Sequence, residues 1–318
     1  MSSKPIIIQN FFRSGGSYIY NLFNSNTNTL GFYEPFHESL SSVEKLKNEK
    51  NNFFSNKNKL RHSNKEFYFQ NFPINDTYIQ KFNSNIFNRY IFLLKRSDKR
   101  ECINYLNYLI SLANKNNKIP IFKINRLYLN PEILNKINSF KIFLFRDPIS
   151  TFWSNVSLNL LNPYYHSLKF HYQNNIAPLD KIFELVKKYS IKPILLKNNS
   201  YFFPDKKNIN FHFSMFLFVY FLGLELNFKN KFFSIYYNNL SNFDYSKLIS
   251  KKLTKEIDFD INFYDFKKSN LKLNNFNLEL IPEIKNLINV NIDLNIINEN
   301  LSSLNIDENF KNILNMIK

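Results

Sequence analysis

Near the start of the chain, Arg13, Ser14, Gly15, Gly16 and Ser17 stand together. Between them they offer what a phosphate group needs: a cation, hydroxyls on either side, and two residues whose missing Cβ lets backbone N–H groups approach an anion closely. The segment IIIQNFFRSGGSYIYNLF reads as a short apolar strand, a turn, and the amphipathic start of a helix. A helix opening there adds unpaired N–H groups and the positive end of its dipole. Two of the chain's four glycines lie side by side in this turn. A turn that only reversed the chain would need neither the arginine before the glycines nor the serines around them. The pattern Gly-x-x-x-x-Gly-Lys-Ser/Thr is absent, which disfavours magnesium-assisted hydrolysis of ATP or GTP.

A second segment, KIFLFRDPISTFWSNVS, repeats the order strand, turn, helix. At its turn Arg146 can meet a phosphate as a bidentate fork. Ser154 follows eight residues later, about two helical turns on and near the same face. Asp147 and Pro148 suit the turn itself, proline being tolerated at a first helical position. Trp153, the only tryptophan, could stack on a base, although an aromatic within an apolar helix more often belongs to a core.

Between these segments lies GFYEPFHESL. Glu34 ends a short apolar run and is the candidate general base, with His37 and Glu38 as rivals. Burial beside Phe32, Tyr33 and Phe36 would raise its pKa, and Arg13 nearby would pull the other way. Lys123 and Arg126, in FKINRL, are either a site for an anionic acceptor or solvated strand ends.

Elements that could position these residues follow from the hydrophobic pattern. Runs rich in β-branched and aromatic residues predict strands over Ile6 to Phe12, Thr29 to Tyr33, Tyr90 to Leu94, Ile119 to Ile124, Lys141 to Phe145 and Phe232 to Tyr236. Helical spacing predicts helices over Glu101 to Ala113, Pro131 to Ile137, Thr151 to Leu161, Asp180 to Tyr189 and Phe211 to Leu222, with one or two more in the tail. Strands alternating with helices imply an α/β fold, a central parallel sheet flanked by helices on both faces. Such sheets bind ligands at the carboxyl ends of their strands, where all three segments above fall.

The stretch RSGGSYIYNLF resembles the 5′-phosphosulfate loop of sulfotransferases that use 3′-phosphoadenosine-5′-phosphosulfate (PAPS). With its continuation through FYEPFHESL, it is similar to the carbohydrate 6-O-sulfotransferase branch, which pairs an Arg-Ser-Gly loop with a Glu-Pro a short way downstream. The segment ending in Arg146-Asp147-Pro148 and bearing Ser154 resembles that family's 3′-phosphate motif, in the same order along the chain. The resemblance implies a P-loop nucleotide-binding fold of the sulfotransferase type. It implies PAPS as co-substrate held by Arg13, Ser14, Gly15, Gly16, Ser17, Tyr18, Arg146 and Ser154, and a hydroxyl acceptor of the carbohydrate class. Glu34 would be the base, Arg13 would balance charge on the departing phosphate, and no metal would be needed. Gly16 stands where the family usually has Ser or Thr. A weaker likeness, YYNNL at Tyr236 to Leu240, replaces the family's acids by Asn238 and Asn239 and serves only as a landmark. A non-catalytic nucleotide- or polyanion-binding module and a kinase-like P-loop enzyme are the alternatives.

Hydrophobic residues make up 44% of the 318 and aromatics 18%, too much apolar surface for the chain to stay unfolded. One domain over 1–318 is expected, with surface insertions near 45–65 and 197–210 where Asn and Lys dominate. The net charge of +17 would suit nucleic acid, an anionic membrane or a polyanionic nucleotide. The basic residues are scattered, however, so specific nucleic-acid binding is not expected. A single cysteine, Cys102, fits a reducing compartment and leaves no Cys-based zinc cluster. With no secretory leader pattern at the N-terminus, cytoplasm is the expected location. The longest apolar stretch, Phe211 to Leu226, falls short of the roughly 20 residues of a membrane span and predicts a buried helix.

Overall fold

The computed structural model describes residues 4–55, 67–73, 75–87, 94, 96–156, 161–191, 195–197, 200–202, 206–257 and 278–318. Seven strands lie in these residues: β1 (Ile6–Asn10), β2 (Thr29–Tyr33), β3 (Ile119–Ile124), β4 (Phe140–Phe145), β5 (Leu195–Lys197), β6 (Ser200–Phe202) and β7 (Phe233–Tyr236). The first helices are α1 (Gly16–Asn24), α2 (Val43–Ser55), α3 (Asp76–Lys81), α4 (Ser84–Phe87) and α5 (Arg96–Lys115). Then come α6 (Glu132–Asn135), α7 (Pro148–Val156), α8 (Leu161–Gln173), α9 (Leu179–Lys188) and α10 (Lys206–Lys229). The last are α11 (Phe243–Ile257), α12 (Pro282–Asn291), α13 (Leu294–Ser302) and α14 (Glu308–Ile317).

Five strands form one parallel sheet in the order β2-β3-β1-β4-β7. Residues of β1 are buried throughout, as befits a central strand covered on both faces. One face, with Ile6, Ile8, Ile121, Ile142 and Ile235, packs on α1 and α11 through Ile19, Phe23, Ile249 and Leu253. The other, with Ile7, Phe122, Phe143 and Phe145, packs on α5, α10 and the C-terminal helices. The expected parallel α/β sandwich is therefore the observed one. Sheet order puts the loop after β1 at the centre, flanked by the ends of β3 and β4.

Five of the six expected strands are present, the first two residues shorter than expected because Phe11 and Phe12 already belong to the loop. The sixth, Tyr90 to Leu94, lies almost wholly outside the described residues. Of the insertion expected near 45–65, residues 45–55 belong to α2, which buries Phe53, and 56–65 lie outside the described residues. Of the insertion expected near 197–210, the described residues are the end of β5, which pairs antiparallel with β6, then β6 itself and the first turn of α10; 198–199 and 203–205 lie outside the described residues. The tail holds three helices rather than one or two.

Helix α10 is longer than its apolar pattern predicted. One part of it, Asn208–Lys229, is long and apolar enough to cross a membrane. Its own Phe211, Phe213, Phe216, Phe218, Tyr220 and Phe221 are all buried, and 94% of its apolar window is covered by the rest of the protein. A helix apolar on all sides is the expected centre of a large core.

Candidate functional site

Every residue singled out above for chemistry lies at the carboxyl end of a strand of the parallel sheet, or within the helix that follows. Arg13 comes three residues after β1, Glu34 directly after β2, Arg126 two residues after β3, and Arg146 directly after β4. Parallel strands end on one side, so segments far apart in sequence share one edge.

Backbone geometry marks two of these positions. Among the described residues, seven that are not glycine have positive φ. Five of them, Asn117, Asn175, Ser190, Lys231 and Asn305, close the helices before them, the usual place for a left-handed residue. The other two are Arg13 (φ 67°) and Glu34 (φ 46°), which follow no helix. Left-handed backbone on a side chain with a Cβ costs roughly 1 kcal/mol and concentrates at functional sites.

In the first loop Gly15 also lies in the left-handed region (φ 89°) and is the N-cap of α1. Gly15 contributes no side chain, so α1 lacks the side-chain cap that Asn75, Asp293 and Asp307 give α3, α13 and α14. The Tyr18 N–H bonds back to the Gly15 carbonyl at 3.0 Å, so the N–H groups that this helix start offers to an external acceptor are those of Gly16 and Ser17. A Cβ on Gly15 would lie 2.0 Å from Tyr237 Cε2, and one on Gly16 would lie 2.2 Å from Asn10 Oδ1, so a side chain at either position would force Tyr237 or Asn10 to shift. Ser17 Oγ is 2.6 Å from the hydroxyl of Tyr33.

Arg13 Nε donates to Ser154 Oγ at 3.1 Å, so the first loop and the second motif meet directly. Asn155 Nδ2 adds a bond to the Phe12 carbonyl at 3.2 Å. Ser154, expected near the same face as Arg146, thus bonds Arg13. Arg146, 7% exposed, sits with its guanidinium 5.6 Å from the Tyr237 ring centroid and its Nε 3.7 Å from Asp147 Oδ2. Asp147 also caps α7, its Oδ1 accepting the Ser150 N–H at 2.7 Å. Trp153 is buried and packs edge-on against Phe152, so it belongs to the core.

Glu34 is 5% exposed and forms a buried ion pair with Lys123, itself 4% exposed. Parallel pairing of β2 with β3 creates the contact, since Tyr33 stands opposite Lys123 and the Glu34 N–H donates to the Lys123 carbonyl at 2.8 Å. Asn125 N–H reaches Glu34 Oε2 at 3.3 Å, and the Lys123 ammonium lies 4.5 Å from the Tyr33 ring centroid. The cation paired with Glu34 is thus Lys123, where Arg13 was expected. Arg126 is paired with Glu38. Lys123 and Arg126 are therefore not solvated strand ends.

His37, whose side chain is 23% exposed, has its pKa pushed down to about 4, first by burial and then by the Arg126 guanidinium. Its Nδ1 accepts the Ser39 N–H at 3.2 Å. A neutral imidazole that accepts through Nδ1 carries its proton on Nε2, so neither ring nitrogen is free to take another.

Several polar side chains at this edge are buried and have no hydrogen-bond partner among the described residues: both amide atoms of Gln9, Asn10 Oδ1, Ser14 Oγ, Asn125 Oδ1 and Arg146 Nε. Buried polar groups are normally satisfied. These residues stand at the carboxyl ends of β1, β3 and β4, where a polar ligand could satisfy them. Among the described residues no group of three or more His, Cys, Asp or Glu is placed to hold a metal ion.

Sequence reasoning passed over Tyr33, Gln9, Asn125 and Tyr237. The only signal for Tyr237 was its place directly after a strand, in a motif set aside for lacking acids. No protein-family model matches the chain, and no curated protein or solved structure matches it either.

Proposed function

We propose that this protein is a PAPS-dependent sulfotransferase acting on a hydroxyl of a carbohydrate, built on a P-loop fold of the sulfotransferase type. The observation that carries the reading is the Arg13–Ser154 hydrogen bond, which joins the two anion-binding motifs into one site. The uncapped start of α1, with Ser14, Gly15, Gly16, Ser17 and Tyr18, would hold the 5′-phosphosulfate, and Arg146 the 3′-phosphate. The orphaned polar atoms of Gln9, Asn10, Ser14 and Asn125 suit a ligand rich in oxygen acceptors and hydroxyl donors.

In the reaction the acceptor hydroxyl gives its proton to the Glu34 carboxylate as its oxygen bonds to sulfur. The bond from sulfur to the bridging phosphate oxygen breaks, and adenosine 3′,5′-bisphosphate leaves. Arg13 offsets the charge that grows on that phosphate. The ion pair with Lys123 and the Asn125 N–H would hold the Glu34 carboxylate in place at the acceptor side. His37 does not compete for the proton, for the tautomeric reason given above.

Calorimetric titration tests the assignment. Adenosine 3′,5′-bisphosphate is expected to bind more tightly than 5′-AMP or ATP, and Arg146→Ala is expected to cut that preference by roughly ten- to hundred-fold. Equal binding of 5′-AMP and the bisphosphate would defeat the reading. Binding without turnover on any sugar acceptor would instead favour a nucleotide-binding module.

A further inference from the structure

We infer that Asn238 is a positioning residue for Arg146, and that it works by occupying the Asp147 carboxylate that would otherwise clamp the arginine. The inference rests on the assignment of Arg146 to the 3′-phosphate. Asn238 lies just past β7, in the YYNNL segment that carries amides where the resembling family has acids. Its Nδ2 donates to Asp147 Oδ2 at 2.9 Å and to Asp307 Oδ2 at 2.5 Å. An amide nitrogen carries two hydrogens, so both are used. An acid at this position would set three carboxylates together in a buried place.

Asp147 is 1% exposed, and its other oxygen is spent on the α7 cap. Arg146 Nε stands 3.7 Å from Asp147 Oδ2, beyond hydrogen-bond reach, and has no hydrogen-bond partner among the described residues. The carboxylate oxygen nearest the guanidinium thus accepts from Asn238 and is held where it does not bond Arg146 Nε. Without that amide, a charge-assisted bond between Arg146 and Asp147 is the cheapest way to satisfy both groups, and an incoming phosphate would have to break it.

The C-terminal helices anchor the device. Asp307 caps α14 by accepting the Phe310 N–H at 3.1 Å, and Asn239 donates to the carbonyls of Leu304 and Asn305 at 2.6 and 3.1 Å. This gives the tail, for which sequence reasoning found no chemistry, a part in shaping the nucleotide site.

The test is the ratio of affinities for adenosine 3′,5′-bisphosphate and 5′-AMP, measured by calorimetry on the full chain. Asn238→Ala is expected to shrink the wild-type ratio by roughly tenfold while 5′-AMP affinity stays within about twofold. Adding Asp147→Asn, which retains a capping oxygen but cannot clamp the arginine, is expected to restore it. A ratio that survives Asn238→Ala, or one that Asp147→Asn fails to rescue, overturns the inference. If Asn238→Ala does not fold, Asp147→Asn alone decides: an unchanged or larger ratio supports the inference, and a fall overturns it. Equal binding of the two nucleotides by the wild type would remove the 3′-phosphate assignment itself, and this inference with it.

Discussion

Arg13 and Ser154 are 141 positions apart in the chain and share a hydrogen bond of 3.1 Å. Arg13 belongs to the loop after β1, Ser154 to α7 after β4, and β1 pairs with β4 in register from Ile6↔Phe140 to Asn10↔Leu144. Neighbouring parallel strands therefore deliver the two side chains to one place. Arg13 holds a left-handed backbone there, with φ 67°.

That contact predicts coupling between the two residues. Arg13→Ala is expected to weaken binding of the bisphosphate by roughly ten- to hundred-fold, and Ser154→Ala by a few-fold. Because Ser154 orients Arg13, the double variant should lose less than the two single losses combined, by about 0.5–1.5 kcal/mol. Strict additivity in the calorimetric cycle would mean that the two side chains act separately.

Gly15→Ala should destabilise the protein by more than about 2 kcal/mol, through left-handed strain of roughly 1 kcal/mol and overlap with Tyr237. The clash is specific, since the new Cβ would fall 2.0 Å from Tyr237 Cε2. Urea denaturation should show part of the loss recovered in Gly15→Ala/Tyr237→Ala relative to Tyr237→Ala alone. The same penalty with and without Tyr237 would assign all of it to the backbone.

Glu34→Gln is expected to lower transfer by about 10²–10⁴-fold while bisphosphate binding stays nearly unchanged. It also leaves the Lys123 ammonium buried without its counter-charge, at a stability cost of about 3–5 kcal/mol. Glu34→Gln/Lys123→Met should recover stability without recovering turnover. Should turnover return in the double variant, Glu34 would be a structural partner of Lys123 and no base.

The depressed pKa of His37 makes stability depend on pH. Its value falls from 6.5 to about 4 on folding, because burial and Arg126 disfavour the charged ring. The unfolded chain then binds the extra proton more readily. The contribution is complete above pH 6.5 and drains away as pH falls toward 4, to an extent on the order of 2–3 kcal/mol. His37→Asn keeps an acceptor for the Ser39 N–H and should flatten this part of the curve in urea melts at pH 7 and pH 4. An unaltered slope would place the pH dependence elsewhere.

Local chemistry along the chain determined the parallel α/β architecture and the two strand-turn-helix segments. A strand such as Ile6–Asn10 buried on both faces is uniformly apolar or amide-bearing, and a glycine pair before an amphipathic helix can be read within a dozen residues. Helix limits were less legible, as for α10, because packing by distant aromatics extends a helix past its own periodicity. The partners in the site were not legible at all. Glu34 and Lys123 are 89 positions apart, Asn238 and Asp147 are 91 apart, and only the strand order β2-β3-β1-β4-β7 makes them neighbours. Tertiary structure also decided which charges are buried. Lys123 and Arg126, which the sequence leaves open between an anion site and solvated strand ends, are the buried partners of Glu34 and Glu38. Spacing in a sequence encodes which face a side chain takes, whereas pairing and desolvation depend on which strands come to lie side by side.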